Sequence, residues 1–369
     1  MKLTTLIGLV LLLTTAVSAQ VYTITDLGQL SPTAINTLGQ VAGNYDGQAN
    51  IWSFGKRIAL GHLPGGTYSS AAAINDLGDV AGTADGPGQI VSIDGGSPIE
   101  CSDLTQPFVW TPQKKMLGLG TAGPASDDAG LQDNGCPYPF YGAAINNRGQ
   151  VVGYTGQLTD VFQWVVFWTN ETGMSIFGSS WWNTYGNGIS NTGQIVGENG
   201  VGIFGGNATY WKNGVATDLG GLPGMPSLGS SAANGVNDLG QIVGWSSTPI
   251  EGNQSYIHAV LWTQSGTIGD LGTLSGDLYS SASKINLSGL VIGSSGNTVI
   301  SSTAGSLEVV GLPFIWSIGS GMQDLNTLIG PNSGWVFSTA TDINVWGQIV
   351  GSGTRNGQTH GFLLTPQAF

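Results

Sequence analysis

Aromatic residues stand at a recurring place in this sequence, at or just before short segments that are predicted below to be strands. Such rings can stack on sugars or contact another protein, because each combines a large apolar face with, in Tyr and Trp, a polar tip. Trp181, Trp182 and Tyr185 are the strongest candidates, since adjacent strand residues point to opposite faces and one indole is then exposed. The alternative is that most of the rings fill an axial channel or pack between sheets. The complete set is Tyr68, Tyr141, Trp181, Trp182, Tyr185, Tyr279, Trp335 and Phe337.

Residues that could carry catalysis or hold a metal are few and unfavourably spaced. Asp127, Asp128 and Asp133 could offer oxygen atoms to calcium, but their spacing matches no known calcium loop, and we favour a solvated acidic loop. The sequence contains no Gly-x-Ser-x-Gly motif and no convincing pair of nucleophile and base. We therefore predict no metal site, no cofactor and no catalytic residues, with calcium at the acidic loop as the alternative. The histidines, which form no metal-binding pattern, are His62, His258 and His360.

The two cysteines, Cys101 and Cys136, lie in the two longest insertions of the chain. Cysteines of exported proteins usually pair, because the compartment is oxidising. A bridge between them would close a loop of about 36 residues and stabilise the fold by roughly 3–4 kcal/mol. We predict this disulfide, and the alternative is two free thiols.

The elements that must position these groups are repeats. The segment Ala73–Gly82 occurs in seven versions, in each of which an Asn, or once a Ser, follows Ile or Val and precedes a Gly by three residues. Asn can bond its own backbone two residues on and Gly can take a positive φ, so each copy predicts a β-hairpin. A second Gly, seven residues after the Asn, ends the returning strand or lets another backbone approach. The residues at the Asn position are Asn36, Asn75, Asn146, Ser190, Asn237, Asn286 and Asn344.

Each hairpin is followed by an apolar run that usually carries Trp and by an element resembling Asp-Leu-Gly. Four short strands in about 51 residues, the mean step from Asn36 to Asn344, is the content of one β-propeller blade. The steps are too uneven for a regular solenoid. The sequence therefore predicts an all-β fold, a seven-bladed β-propeller of four-stranded antiparallel blades.

The chain ends should close this ring. An Asp-Leu-Gly element precedes the first hairpin at Asp26 and is missing after Leu364, so the N-terminal segment 22–27 should supply the outer strand of the last blade. Pairing the two ends removes two exposed sheet edges.

Two further predictions follow from aligned repeat positions. His258 and His360 share one position before the third strand, which favours a common structural hydrogen bond. Lys284 and Asp342 share another position in consecutive copies, and we expect them to form an ion pair between blades, lining the channel.

The predicted connections divide between two faces of the propeller. The hairpin turns and the turns after the Trp elements are short and define the short-turn face. The long connections define the opposite long-loop face, where the aromatic candidates lie. Variable loops on a rigid scaffold are the usual place of binding, so we expect a ligand there. The long connections are 83–106, 121–142, 198–208, 245–257 and 294–312.

Segment 1–19 is typical of a secretory signal, with Lys2, an apolar run from Leu6 to Leu13, and Val17-Ser18-Ala19 before Gln20. The run is shorter than the roughly 18–20 residues of a membrane span. We therefore expect the propeller domain, 20–369, to be secreted or periplasmic, monomeric and without a transmembrane segment. A net charge of −13 argues against nucleic acid and anionic membranes as partners.

The segment 258–263, His-Ala-Val-Leu-Trp-Thr, followed by Gly-Asp-Leu-Gly-Thr-Leu at 269–274, resembles the HAF-repeat family of extracellular bacterial proteins. The segment Ile74–Gly78 resembles it too, and the likeness extends over nearly the whole mature chain. The triplets 258–260 and 360–362 each differ from His-Ala-Phe by one residue. The resemblance implies export and a repeat architecture, and it brings no assigned reaction and no catalytic residues.

These observations predict a secreted, non-catalytic binding or structural module whose long-loop face binds a glycan or a cell-envelope component. One alternative is a polysaccharide hydrolase or lyase, which for hydrolysis needs paired carboxylates about 5–9.5 Å apart. The other is a surface-assembly protein without a small-molecule ligand, in which the aromatic residues contact another protein.

Overall fold

The computed structural model describes residues 22–86, 89–91, 99–101, 105–120, 140–155, 163–177, 184–200, 206–227, 229–250, 254–301 and 307–367. These residues form thirty β-strands and one 3-10 helix, Leu325–Leu328, and contain no α-helix. Seven four-stranded antiparallel sheets follow one another as blades of a propeller, so the predicted fold and blade number are confirmed.

Strand β1 is Tyr22–Asp26 and belongs to the last blade. Blade 1 comprises β2 (Ser31–Ile35), β3 (Val41–Tyr45), β4 (Gln48–Ser53) and β5 (Lys56–Ala59). Blade 2 comprises β6 (Ser69–Ile74), β7 (Val80–Asp85), a separate hairpin of β8 (Gln89–Val91) and β9 (Ile99–Cys101), then β10 (Thr105–Thr111) and β11 (Lys115–Gly118). Blade 3 comprises β12 (Phe140–Ile145), β13 (Val151–Thr155), β14 (Trp164–Thr169) and β15 (Gly173–Phe177).

Blade 4 comprises β16 (Thr184–Ile189), β17 (Ile195–Gly200), β18 (Gly206–Lys212) and β19 (Val215–Asp218). Blade 5 comprises β20 (Ser231–Val236), β21 (Ile242–Ser247), β22 (Ile257–Trp262) and β23 (Ile268–Gly272). Blade 6 comprises β24 (Tyr279–Ile285), β25 (Val291–Ser301), β26 (Leu307–Ser317) and β27 (Gly321–Asp324). Blade 7 comprises β28 (Trp335–Ile343), β29 (Ile349–Arg355), β30 (Gln358–Pro366) and β1.

The ring closes within blade 7. Strand β1 pairs antiparallel with β30, from Tyr22 opposite Pro366 to Asp26 opposite Phe362. The carboxylate of Asp26 also contacts Nδ1 of His360 at 2.8 Å and the guanidinium of Arg355. Burial raises the pKa of Asp26, but hydrogen bonds from His360, the Gly28 amide and Arg355 outweigh it and hold the pKa below its usual value. The predicted closure by the N-terminal strand is confirmed.

The first strand of every blade lies at the axis and carries a β-bulge at the same repeat position. The bulge turns a carbonyl towards the second Gly of the repeat, so a Cβ at Gly153 would lie 1.8 Å from the Tyr141 carbonyl oxygen. Between blades, a Cβ at Gly142 would lie 2.8 Å from the Gly82 carbonyl oxygen. The close backbone approach predicted at the second Gly is therefore confirmed, and the entering strand at Gly142 is crowded in the same way.

Apolar side chains pack in the spaces between neighbouring blades. The β-branched residue that opens the second strand is buried in every blade, and Trp211 and Trp262 from third strands pack beside it. Removal of this apolar surface from water contributes about 25 cal/mol per Å² and is the main stabilising effect in such sheets. The residues of the second strand are Val41, Val80, Val151, Ile195, Ile242, Val291 and Ile349.

Candidate functional site

The repeat Asn shapes its own turn and also joins its blade to the next one. In blade 2, Oδ1 of Asn75 accepts hydrogen bonds from the backbone N–H groups of Leu77 and Asp79, at 3.0 and 2.8 Å. Its Nδ2 group donates to the carbonyl oxygen of Asn146 in blade 3, at 3.0 Å. The Asn side chain is almost fully buried, so both its polar atoms need such partners.

The same inter-blade hydrogen bond recurs around the ring and forms what we call the Asn belt. It runs in one direction, and Asn344 of blade 7 donates to the carbonyl of Asn36 in blade 1 at 3.0 Å. The belt is interrupted only after blade 4, where Ser190 has no amide to donate. The other members donate from Asn36 to Asn75, from Asn75 to Asn146, from Asn146 to Ser190, from Asn237 to Asn286 and from Asn286 to Asn344.

A second series of hydrogen bonds lies at the residue after each Asn. The N–H group of Thr37 donates to Oδ1 of Asp76, at 2.9 Å, and Asp76 donates in the same way to Asn147 at 2.8 Å. The series continues through Asn191 to Asp238, with both distances 2.7 Å. It ends there because the following blades carry an aliphatic residue at this position.

Three backbone donors are consequently left over at one side of the ring. Within the described part of the chain, the N–H groups of Asp238, Leu287 and Val345 have no hydrogen-bond acceptor. All three residues line the axial cavity described next. They offer hydrogen bonds to a ligand or to water there.

A cavity of about 490 Å³ opens on the axis at the short-turn face. We call it the axial cup. Each blade contributes the residue at the Asn position, which is Ser190 in blade 4, together with the aliphatic residue before it and the residue after it. The aliphatic residues form the inner wall, and they are Ile35, Ile74, Ile145, Ile189, Val236, Ile285 and Ile343. The volume lies in the range of small-ligand sites.

Large apolar side chains surround the mouth of the cup. Four of them are the second residue after the Asn of their blade, and the fifth, Leu287 of blade 6, is the first residue after it. Between 41% and 68% of each residue is exposed. We call this set the apolar crown: Leu38, Leu77, Leu239, Leu287 and Trp346. Polar Arg148 and Thr192 occupy the second position in blades 3 and 4, so the crown is open on that side.

A smaller cavity of about 120 Å³ lies deeper on the axis, where Lys284 and Asp342 face it among Ala and Gly residues. Among the ion pairs of the described residues none joins these two, so the direct pair expected from the sequence is wrong. Instead, the Asp342 carboxylate accepts the N–H groups of Ile35 and Ile343, each at 2.9 Å. Burial raises the pKa of Asp342, and the nearby Lys284 charge opposes that effect.

The aromatic candidates of the long-loop face whose positions are described do not form one exposed cluster. Tyr185 and Trp335 are only 4% and 8% exposed, and Trp335 packs against Phe337 and Phe362. Tyr68 is 47% exposed beside β6. Trp181 and Trp182 lie outside the residues that the structure describes.

Tyr279 belongs to a polar and aromatic patch of blades 5 and 6 on the long-loop face. Its ring meets that of Tyr256 edge to face, with centroids 5.4 Å apart. The Tyr256 hydroxyl donates to Oε1 of the exposed Gln254, at 2.8 Å. Nearby, exposed Asn297 donates to the Asp277 carboxylate at 3.2 Å and accepts the Leu278 N–H at 3.0 Å. We call Gln254, Tyr256, Asp277, Tyr279 and Asn297 the tyrosine patch.

A buried carboxyl group lies beside another tyrosine cluster, between blades 3 and 4. Tyr185 and Glu198 are opposed residues of β16 and β17, and Tyr154 meets the Tyr185 ring edge to face at 5.3 Å. Burial raises the pKa of Glu198 to about 7, although the Gly206 N–H donates to the carboxylate. Burial, with the Glu198 charge, also raises the pKa of Tyr185. Sequence reasoning missed Glu198, because nothing in its local pattern distinguishes it from a surface residue.

The two equivalent histidines do share a role, as predicted. Nδ1 of His258 lies 2.9 Å from the Asp270 carboxylate, and His360 contacts Asp26. In both blades the His on the third strand meets the Asp of the Asp-Leu-Gly element on the fourth strand. These contacts hold the fourth, outer strand of each blade against its third strand.

Other sequence predictions concern residues without a described position. The structure buries Cys101 in β9, and Cys136 lies outside the described residues, so their disulfide stays a prediction. Asp127, Asp128 and Asp133 also lie outside. Within the described ranges, no three His, Cys, Asp or Glu residues are grouped as metal ligands would be. No helix in those ranges is long and apolar enough to cross a membrane.

The axial cup and crown were not predicted either, although the repeat alignment held a signal. The tip of a short turn is usually polar, yet four copies place Leu or Trp there. A run of Asp and Asn at the preceding position in blades 2 to 5 was the second signal.

No family model matches the chain, and no curated protein sequence does so. Several solved structures share the fold. An oligogalacturonate lyase in complex with manganese superposes with a TM-score of 0.51 at 10% identity, covering 95% of this chain and 94% of that one.

The extracellular domain of a B. thetaiotaomicron protein matches with a TM-score of 0.48 at 11% identity and covers 95% of this chain, which spans only 40% of that protein's chain. A gluconolactonase from Xanthomonas campestris gives 0.40 at 8% identity, covering 96% and 93%. Of these three likenesses, that to the lyase supports the propeller fold and nothing beyond it.

Proposed function

We propose that the protein is a secreted, non-catalytic binding module, and that the long-loop face binds a glycan or another polar component of the cell envelope. The tyrosine patch is the observation that carries this proposal. Its edge-to-face residues, Tyr256 and Tyr279, are each only partly buried and lie beside amide and carboxylate groups. Aromatic faces next to such groups are suited to sugar rings, which have apolar C–H faces and hydroxyl edges.

The hydrogen bonds within the patch hold it ready for a ligand. The Tyr256 hydroxyl is fixed by Gln254, and Asn297 is fixed by Asp277 and by the backbone of the preceding turn. Groups that are already ordered lose little entropy on binding. The resemblance of the repeats to the HAF-repeat family supports export to a place where such ligands occur.

A glycan array probed with the mature chain tests the proposal. Tyr279→Ala and Tyr256→Ala should each weaken binding of the retained glycans by at least about tenfold, as expected for a lost stacking contact. Trp181→Ala and Trp182→Ala test the original candidates in parallel. Phe54→Asn is the matched control, because Phe54 is an exposed aromatic residue of the short-turn face whose positive φ of 48° suits Asn. Binding that is unchanged by all four long-loop variants would refute the proposal.

Glu198 favours the enzymatic alternative, a polysaccharide hydrolase or lyase. Burial raises its pKa to about 7, which is in the range of a general acid, but only 8% of the residue is exposed and it lines neither of the two cavities described above. Incubating the wild-type chain and Glu198→Gln with polysaccharides that bind it, followed by product analysis, decides between the two. Cleavage by the wild type that Glu198→Gln abolishes would replace the binding proposal by the enzymatic one.

A further inference from the structure

The axial cup and the apolar crown lie on the face opposite the tyrosine patch. They combine exposed apolar surface, carboxylates without a cationic partner and backbone N–H groups without an acceptor. The crown exposes large aliphatic side chains and one indole around the cup, beyond what a ligand inside the cup could cover. Exposed apolar surface of this kind usually marks contact with another protein. The inner wall of the cup is aliphatic as well, so a bulky apolar side chain is a suitable occupant.

The turn tips around the mouth of the cup also carry two carboxylates, those of Asp76 and Asp238, against one cation, Arg148. The carboxylates of Asp76 and Asp238 accept hydrogen bonds only from neutral groups, namely backbone amides and the side chains of Asn147 and Asn191. Among the described residues, neither has a cationic partner. A Lys or Arg next to the apolar anchor would supply the missing charge.

The leftover donors suit a polypeptide as the occupant. The N–H groups of Asp238, Leu287 and Val345 lie at consecutive blades, and backbone carbonyl oxygens of an extended segment would satisfy them. A second copy of this chain is a poor partner, since its 9 Lys and Arg face 22 Asp and Glu.

We propose that the axial cup is a docking site for a segment of another protein, in which a bulky aliphatic or aromatic residue is adjacent to Lys or Arg. The apolar side chain enters the cup between the aliphatic residues of the wall. The basic side chain lies against Asp76 or Asp238, and backbone carbonyls accept the free N–H groups. The site is separate from the tyrosine patch, and its ligand is of a different class.

The test uses random heptapeptides displayed on phage and selected against the full chain. Enriched peptides, synthesised with capped ends and a fluorescent label, are then titrated by anisotropy. We expect enriched sequences to pair Lys or Arg with Leu, Ile, Phe or Trp, and their affinity to fall as ionic strength rises. No enrichment over a protein-free control, or enrichment without that pattern, would overturn the proposal.

Variants taken from other copies of the repeat keep the fold intact. Asp238→Asn introduces the residue that blades 3 and 4 already carry there, and should weaken peptide binding about fivefold and reduce its salt dependence. Leu239→Thr combined with Leu77→Thr copies Thr192 of blade 4, and should weaken binding at least about tenfold.

Tyr279→Ala is the control on the opposite face and should leave peptide affinity unchanged, whereas the crown variants should leave glycan binding unchanged. If the variants of the cup and crown bind the selected peptides as tightly as the wild type does, the docking site is refuted. Self-association of the chain that the crown variants abolish would assign this face to a second copy and equally refute it.

Discussion

Replacing Glu198 by Gln is expected to stabilise the protein at alkaline pH and to leave its stability at acidic pH almost unchanged. The ordinary pKa of a glutamate is 4.5, and burial raises that of Glu198 to about 7 in the folded protein. Below the lower value the folded and unfolded chains both hold the proton. Between the two values only the unfolded chain releases it, so the stability of the wild type falls as the pH rises.

The size of the effect follows from the difference of about 2.5 between the two pKa values. Each unit corresponds to about 1.4 kcal/mol, so ionisation of Glu198 costs roughly 3 kcal/mol of unfolding free energy once the pH exceeds about 7. A Gln side chain keeps the shape, accepts the Gly206 N–H through Oε1, and never ionises.

Urea unfolding followed by tryptophan fluorescence, repeated between about pH 4 and pH 8, measures this difference. The unfolding free energies of wild type and Glu198→Gln should agree near pH 4 and separate by roughly 3 kcal/mol near pH 8. Glu171→Gln, an exposed change in the turn between β14 and β15, controls for the loss of one charge. Parallel curves for wild type and Glu198→Gln over the whole range would refute the assignment of a buried, protonated carboxyl group.

Three further predictions concern the scaffold. Ser190→Asn should complete the Asn belt by donating to the carbonyl of Asn237, which raises the unfolding free energy by about 1 kcal/mol in urea titrations. Gly153→Ala should lower it by more than about 3 kcal/mol, or prevent folding, since the new Cβ would lie 1.8 Å from the Tyr141 carbonyl oxygen. Asp26→Asn should lower it by about 1 kcal/mol at neutral pH and speed hydrogen exchange of the β1 amides, with the difference vanishing as acid protonates Asp26.

Each of these has its own control and its own contrary result. Gly319→Ala adds a Cβ with nothing within 4 Å at ordinary φ, so it should be neutral, and equal effects at Gly153 and Gly319 would contradict the crowding argument. A destabilising Ser190→Asn would mean that blades 4 and 5 are too far apart for the belt to continue. Unchanged exchange in β1 after Asp26→Asn would mean that the strand pairing alone holds the ring closed.

The repeat fixed most of the fold in advance because its key residues act locally. Asn and Gly define each turn, and the order of the four strand elements defines each blade. The blade number and the pairing of the two chain ends could therefore be inferred from the repeats of a single sequence. The Asn belt could not be predicted in the same way, since it depends on the distance between consecutive blades. The prediction of an ion pair between Lys284 and Asp342 was wrong for a different reason, because the backbone amides of Ile35 and Ile343 bind the carboxylate inside the channel.

Predicting which aromatic side chains are exposed was harder, and the inner-strand bulge gives the reason. A bulge moves the following residues to the opposite face of the strand. Tyr185 precedes the bulge of β16, so alternation counted from Ser190 assigns the wrong face to its ring. Trp335 lies before two such shifts in β28, which cancel, and its ring is buried because it packs against Phe337 and Phe362 of its own blade. The tyrosine patch was only half foreseen, since Tyr256 belongs to a long connection without a repeat pattern.

The direction of the Asn belt has a consequence for how such a chain changes over time. Each Asn donates its hydrogen bond to a main-chain carbonyl of the neighbouring blade, and every amino acid has that group. The belt therefore requires no matching side chain in the adjoining sector. Sectors joined in this manner are interchangeable units. Duplication, exchange or deletion of one sector in the gene would still allow the remaining sectors to form the same hydrogen bonds with their new neighbours. The Asp and Asn series above the belt lacks that tolerance, because it does depend on the neighbour's side chain, and it extends over only part of the circle.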